Sequence, residues 1–207
     1  MVASADDMAA REAVPPEPDE ADAMRAQVYA LLGRLLARHP DADLLKSLGL
    51  LLGDDTALGA ALTELGAAAR LADPAALERE YHHLFIGVAR GELVPFASYY
   101  ITGFLNEKPL ARLRQDMQAL GIARADDVKE PEDHIASLCE MMAGLIAAEF
   151  AVGLERQQRF FDRHLAVWAS RFFADLEKAQ NASFYKAVGR VGRTFLAVEA
   201  EAFRLAA

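Results

Sequence analysis

Apolar residues recur at three- and four-residue spacing along most of this chain, the period of helices that bury one face. Met24, Val28, Leu31, Leu32 and Leu35 share a side of a helix predicted from Ala21 to about Arg38, which His39-Pro40 stops. Two shorter helices, Leu44–Leu52 and Leu58–Leu71, are separated by Gly53-Asp54-Asp55. Asp73 and Pro74 form a helix start with a clear mechanism: the Asp side chain caps, and Pro occupies a first turn where its missing N–H costs nothing. That helix carries Leu77, Tyr81, Leu84 and Phe85 and ends near Gly87. Pro109 opens another, through Leu110, Leu113, Met117 and Leu120 to Gly121. Residues 122–130 then form a polar connection placed well for a hinge. From Pro131 to about Val152, Ile135, Leu138, Met142, Leu145 and Ile146 line one side of what reads as the central helix. Two or three more follow, their packing faces marked by Phe160, Phe161, Trp168, Phe172, Phe173, Phe184, Tyr185, Phe195 and Phe203.

Composition agrees. At 207 residues and 53% hydrophobic, with Ala and Leu dominant and β-branched residues few, the fold class is all-α, with one or at most two domains. The net charge of −9 is concentrated at the start: residues 1–22 hold seven acids against Arg11 alone, leaving the body near −3. Pro15, Pro16 and Pro18 among acids cannot bury enough apolar surface to offset chain entropy, so 1–20 is expected as a disordered acidic tail and 21–207 as one helical domain. An acidic body without a basic stripe argues against nucleic acid. The start lacks a secretory pattern, and no apolar run approaches a membrane span, so no stable membrane insertion is expected. Cys139 stands alone, which excludes an internal disulfide and suits a reducing compartment, the cytoplasm.

The chemistry-bearing stretch runs from Glu80 to His134. The segment Pro95-Phe96-Ala97-Ser98-Tyr99-Tyr100 follows a Gly- and Pro-containing stretch and reads as a surface or groove-lining loop. Glu130-Pro131-Glu132-Asp133-His134 fits a plain helix start, with acids in the first turn favoured by the macrodipole. The functional alternative, which can hold beside it, is an acidic and imidazole pair at the mouth of a groove, offering acceptors to a cationic ligand. Glu80-x-x-His83 has the spacing of one half of a di-iron site, but no second copy or further pair of glutamates completes it. The histidines His39, His82, His83 and His164 fall in no pattern with Asp133-His134 that would hold a metal, and no phosphate loop is present, since Gly189-x-x-Gly192 lies inside a helical pattern. No catalytic centre, metal or cofactor is expected.

Four segments in order carry a resemblance: Tyr81-x-x-Leu84-Phe85-x-Gly87, Pro95-Phe96-x-Ser98-x-Tyr100, Glu130-Pro131-Glu132-Asp133-His134, and Phe160-Phe161-x-x-His164-Leu165-x-x-Trp168 with the later Phe184-Tyr185. The chain resembles the TorD/DmsD family of cytoplasmic chaperones for molybdenum-cofactor oxidoreductases, over most of its folded length. The resemblance implies a single helical bundle of about nine helices, not an enzyme. It would bind the twin-arginine signal peptide and the apo-form of a molybdoenzyme catalytic subunit, assist cofactor insertion and release the client to export. It further implies a monomer or a domain-swapped dimer. The positions implicated in leader binding are Tyr81, Leu84, Phe85, Pro95, Phe96, Ser98, Tyr100, Glu132, Asp133 and His134, with Phe96 standing where many members have Trp.

Physical chemistry supports such a receptor. Two guanidinium groups followed by an apolar helical stretch call for carboxylates beside an apolar groove. Asp133 with Glu132 or Glu130 would supply the first, and Leu84, Phe85, Phe96 and Tyr100 the second, the 87–98 loop facing the Pro131 helix across the groove. Two rivals stand beside this expectation. One is a chaperone of the client's body that ignores the leader, as in nitrate-reductase chaperones; the other is a metal-dependent hydrolase using Asp133 and His134 with His82 or His83. The segments PFASYYITGFL and PLARLR are most similar to members associated with formate dehydrogenases.

Overall fold

Three helices begin by one device. The side chains of Asp41, Thr56 and Asp73 accept from the backbone N–H three residues on, at Leu44 (2.8 Å), Gly59 (3.0 Å) and Ala76 (2.8 Å), satisfying donors that a helix start leaves free. These caps open α2 (Ala42–Leu48), α3 (Ala57–Leu71) and α4 (Pro74–Tyr81). They follow α1 (Glu20–Ala37). The computed structural model describes residues 20–124, 130–147 and 152–206. The acidic tail expected over 1–20 therefore lies outside the described residues, apart from Glu20, as do most of the expected hinge and the end of the helix expected to reach Val152. Among the described residues there are ten α-helices, one π-helical turn and no strand.

The order continues through the π turn (His82–Ile86), α5 (Ala97–Thr102), α6 (Lys108–Leu120), α7 (Ile135–Ile146), α8 (Leu154–His164), α9 (Ala169–Lys178) and α10 (Phe184–Ala206). The all-α expectation holds. Helix α2 is shorter than its apolar run: it stops at Gly49, and Leu50 and Leu52 remain exposed. The segment expected as a loop over 95–100 is instead mostly helix α5.

Helix α7 is the centre, with eight of its twelve residues buried. Its widest packing is against α1, where Gly33 permits close approach: a Cβ there would stand 2.9 Å from Cγ of Glu140 and 3.3 Å from the carbonyl of Ala136. The Gly189 and Gly192 pair does the same for α10 against α9, since a Cβ on Gly192 would meet the Phe173 ring at 2.2 Å. One aromatic core runs through Tyr29, Phe161, Trp168, Phe172, Phe173 and Tyr185, all essentially inaccessible.

Helix α10 has a cap supplied from far along the chain. The Glu80 carboxylate on α4 accepts from the backbone N–H groups of Ser183 (2.8 Å), Phe184 (3.3 Å) and Tyr185 (2.8 Å). Glu92 holds the preceding turn likewise, through Gln180 N (2.6 Å), Asn181 N (3.1 Å) and the Asn181 amide (2.8 Å). A carboxylate across a helix N-terminus combines charge-assisted bonds with a favourable macrodipole. Glu80→Ala is expected to lower unfolding free energy by about 2 kcal/mol, measured by urea denaturation, whereas the exposed neighbour Glu78→Ala leaves it near the parent value.

Candidate functional site

The Pro95–Tyr100 and Glu130–His134 segments do not face each other across a groove; they are bonded edge to edge. Ala97 N donates to the carbonyl of Asp133 (3.0 Å) and Ile135 N to the carbonyl of Pro95 (2.9 Å), an isolated antiparallel bridge between Phe96 and His134. Asp133 adds its side chain: Oδ2 accepts from Ser98 N at 2.8 Å, capping α5, whose own N-cap residue Phe96 offers no side-chain acceptor. This bridge is why α7 starts at Ile135 and not at Pro131. Residues 132–133 are drawn into the junction, and His134 becomes the N-cap, its Nδ1 accepting from Ala136 N at 3.1 Å. That bond selects the tautomer with the proton on Nε2. The His134 ring packs edge-on against Phe96, centroids 4.9 Å apart, and burial pushes its pKa down to about 4.

The other expected positions fall into three separate places. Tyr81 and Phe85 pack together (5.0 Å between centroids) and against Tyr185 (5.9 and 5.4 Å). The hydroxyls of Tyr81 and Tyr185 donate to the carbonyls of Leu36 and Leu35 at the end of α1. Burial, helped by the charge of Glu130, pushes the Tyr81 phenol up to about 12. The π turn sends Leu84 wholly into the core while leaving His82 and His83 exposed. Tyr100, on α5, is turned to α9: its ring lies 5.3 Å from Trp168 and 5.9 Å from Phe172, its hydroxyl bonds Asp175 (3.1 Å), and Arg171 donates to its carbonyl.

Glu132, expected as a client acceptor, has partners of its own. Arg114 on α6 donates to Oε2 through Nε (3.0 Å) and Nη2 (2.8 Å), and Arg124 stands 3.9 Å from Oε1. Burial alone would raise this carboxyl, yet the bonds and charge of Arg114, with Arg124 behind, hold it below its ordinary value. Asp133 differs. It is 1% exposed, and its second oxygen, Oδ1, is buried without a hydrogen-bond partner, as is the Oγ of Ser98 beside it.

Asp133 forms part of the wall of a cavity of about 380 Å³ between α5, α6 and α8, with Ala97, Leu113 and Leu138 as apolar lining and the exposed Ile101 and Val167 at its rim. Arg112, Asp162, Arg163 and His164 add charge; His164 and Arg163 are both tied to Asp116 on α6, at 2.7 and 2.9 Å. Burial pushes His164 below its usual value despite that carboxylate. Sequence reasoning missed this wall. Ile101, Arg112 and Asp162 on their helices and Val167 in the turn after α8 look like ordinary solvated surface, and only the docking of α8 on α6 brings them together. Among the described residues no three His, Cys, Asp or Glu side chains gather as a metal site would need, and Glu80 of the Glu-x-x-His spacing is committed to α10.

Fold and site together define an all-helical protein that presents an amphipathic cavity walled by a bonded pair of motif segments. Residues 52–174 match the nitrate reductase delta subunit family, a range containing the junction and every residue named around the cavity. The chain belongs to that family, in which the TorD-like proteins expected from the four motif segments fall. It is 28% identical over 129 residues to the chaperone protein TorD of Vibrio cholerae, covering 58% of this chain and 59% of that protein. To the chaperone protein TorD of Shewanella loihica it is 29% identical over 210 residues, 88% of this chain and 94% of the relative. The fold is similar to a crystal structure from Archaeoglobus fulgidus provisionally described as a redox enzyme maturation protein, with TM-score 0.56, 26% identity, and coverage of 84% of this chain and 94% of that one. These relatives are named as chaperones or maturation proteins, not as enzymes. No helix among the described residues is long and apolar enough to cross a membrane.

The depressed pKa of His134 gives the junction a pH signature. The unfolded chain binds a proton near pH 6.5 and the folded chain near 4, so stability is full above 6.5 and falls as pH drops through that window. At pH 5 this one group is expected to cost about 2 kcal/mol. Urea denaturation at pH 7.5 and pH 5 checks it: the parent loses about that much more than His134→Asn, which keeps a capping acceptor but cannot titrate.

Proposed function

We propose that the chain is a maturation chaperone for a molybdopterin-dependent oxidoreductase, acting in the cytoplasm on the apo-form of the client's catalytic subunit and on its twin-arginine leader before export. The observation that carries leader recognition is the unpaired Oδ1 of Asp133 in the wall of an apolar-rimmed cavity. A buried carboxylate oxygen with no donor costs on the order of 1–3 kcal/mol, a cost that a bound guanidinium removes. Ser98 Oγ, on the residue whose N–H bonds Asp133, is unpaired as well. Since Oδ1 is itself enclosed, the incoming group reaches it by displacing side chains at the cavity mouth. Among the ten implicated positions, Asp133 and Ser98 take the direct role. Pro95, Phe96 and His134 hold the junction, Tyr81, Leu84 and Phe85 fasten the end of α4 and the π turn to α1, α10 and the core, Tyr100 anchors α5 to α9, and Glu132 fixes α6.

The similarity of PFASYYITGFL and PLARLR to members associated with formate dehydrogenases makes a formate dehydrogenase the first client to test. A second reading, recognition of the client's body without its leader, is favoured by the matched family's description as a nitrate reductase subunit.

The test is calorimetric titration with twin-arginine leader peptides of the same organism's molybdoenzymes and with versions carrying Gln in place of both arginines. Asp133→Asn keeps an acceptor for Ser98 N but removes the charge. It is expected to weaken leader binding about tenfold or more with little change in melting temperature. Equal affinity in parent and variant would sink the role of Asp133; no binding of any leader, with the whole client retained, would favour the second reading.

A further inference from the structure

The turn after α5 exposes apolar side chains on a backbone built to hold them. Gly103 (φ +85°) and Asn106 (φ +58°) bracket Phe104 and Leu105, and Asn106 is the single non-glycine residue with positive φ among the described residues. A Cβ on Gly103 would meet nothing within 4 Å, so glycine serves there for its backbone conformation and not for space. Phe104 is 70% exposed and Leu105 46%. Ile101, one turn earlier, and Val167 across the cavity mouth are exposed as well and line the same cavity.

This turn is wired to the unpaired carboxylate. Asp133 Oδ2 accepts from Ser98 N (2.8 Å), the Ser98 carbonyl accepts from Thr102 Oγ1 (2.8 Å), and Thr102 Oγ1 accepts from Phe104 N (3.2 Å). Three consecutive bonds thus fix the apolar turn relative to the acceptor. Large side chains held in solvent on a preorganised turn suit a ligand that covers them, because the ordering entropy is already spent.

We propose that Phe104 and Leu105, with Ile101 and Val167, form the apolar half of a two-part client site, taking the apolar stretch that follows the arginine pair in the leader. This rests on the leader-binding reading above. Charge complementarity selects the occupant: with Arg163 spent on Asp116, the wall sets Asp133 and Asp162 against Arg112, so a segment with a cation at one end and an apolar run beyond it matches the acids at one end and this rim at the other. The apolar half sets the client preference, since every twin-arginine leader presents the same guanidinium pair.

The full chain is titrated with a synthetic peptide bearing an arginine pair followed by a leucine-alanine run, with a second in which the leucines are serine, and with a third in which the arginines are Gln. Phe104→Ser combined with Leu105→Ser is expected to bind the parent peptide about tenfold more weakly and the serine peptide as the unaltered protein does. Gly103→Ala retains both side chains but strains the turn, and is expected to weaken parent-peptide binding in the same direction. If the double variant binds the parent peptide as tightly as the unaltered protein, while the arginine changes still weaken it, the apolar half lies elsewhere and the leader reading stands. If no peptide binds either protein, both fall. If sedimentation shows self-association of the unaltered protein that the double variant abolishes, with peptide affinity unchanged, the rim belongs to a second copy and the proposal is overturned.

Discussion

Asp133 makes every other feature of the site possible, because one residue commits three of its groups in different directions. Its carbonyl takes Ala97 N, one carboxylate oxygen takes Ser98 N, and the other is left without a donor. Together with Ile135 N on the Pro95 carbonyl, these bonds determine where α5 and α7 both begin. Each is worth roughly 1 kcal/mol net, less than a single buried aromatic contributes. Their weight is geometric. They cross from one motif to another some 35 residues away, so the start of the central helix and the orientation of α5 are set by the same few atoms.

Around that junction the remaining motif residues act as fasteners in three directions. Tyr81 and Phe85 tie the end of α4 and the π turn to α1 and α10 through ring contacts and a phenol on a backbone carbonyl. Tyr100 and Arg171 tie α5 to α9, and the Arg114 pair on Glu132 ties α6 to the residues just before α7. A half-exposed ion pair is a weak contributor by itself. Here it keeps the neighbour of Asp133 in place, so that two adjacent acids of one motif serve different ends: Glu132 is satisfied from within and Asp133 is not.

Much of this fold could be read from the residues. Asp41, Thr56 and Asp73 cap as their chemistry dictates, glycines stop α2 and α6, and the three-and-four spacing locates most helices to within a turn. Local rules failed at Pro131, where proline and acids make an acceptable helix start that tertiary hydrogen bonds override. The π turn at His82–Ile86 was also hidden, and Tyr81, Leu84 and Phe85, expected beside a groove, are spent on the core and its flank. The cavity was the least legible part. Its wall joins residues of α5, α6, α8 and the junction, and nothing in the order of Ile101, Arg112 or Val167 signals that packing will converge them.

A chaperone faces a constraint that an enzyme does not: its ligand must be held firmly and then surrendered. A deep pocket with every polar group satisfied by the ligand would bind tightly and release slowly. The arrangement around Asp133 would avoid that on the proposed reading, because its apolar side chains lie at an exposed rim and its enclosed unpaired groups are few, Asp133 Oδ1 and Ser98 Oγ. On the proposed leader-binding reading, rim contacts would confer affinity in small increments that a competing partner can remove one at a time, whereas the buried acceptor would reject, by its unmet demand, a segment that brings no donor. Discrimination is thereby separated from affinity. The rigid bonds through Ser98 and Thr102 keep the two elements in register, as the proposed role of holding a client and then releasing it requires.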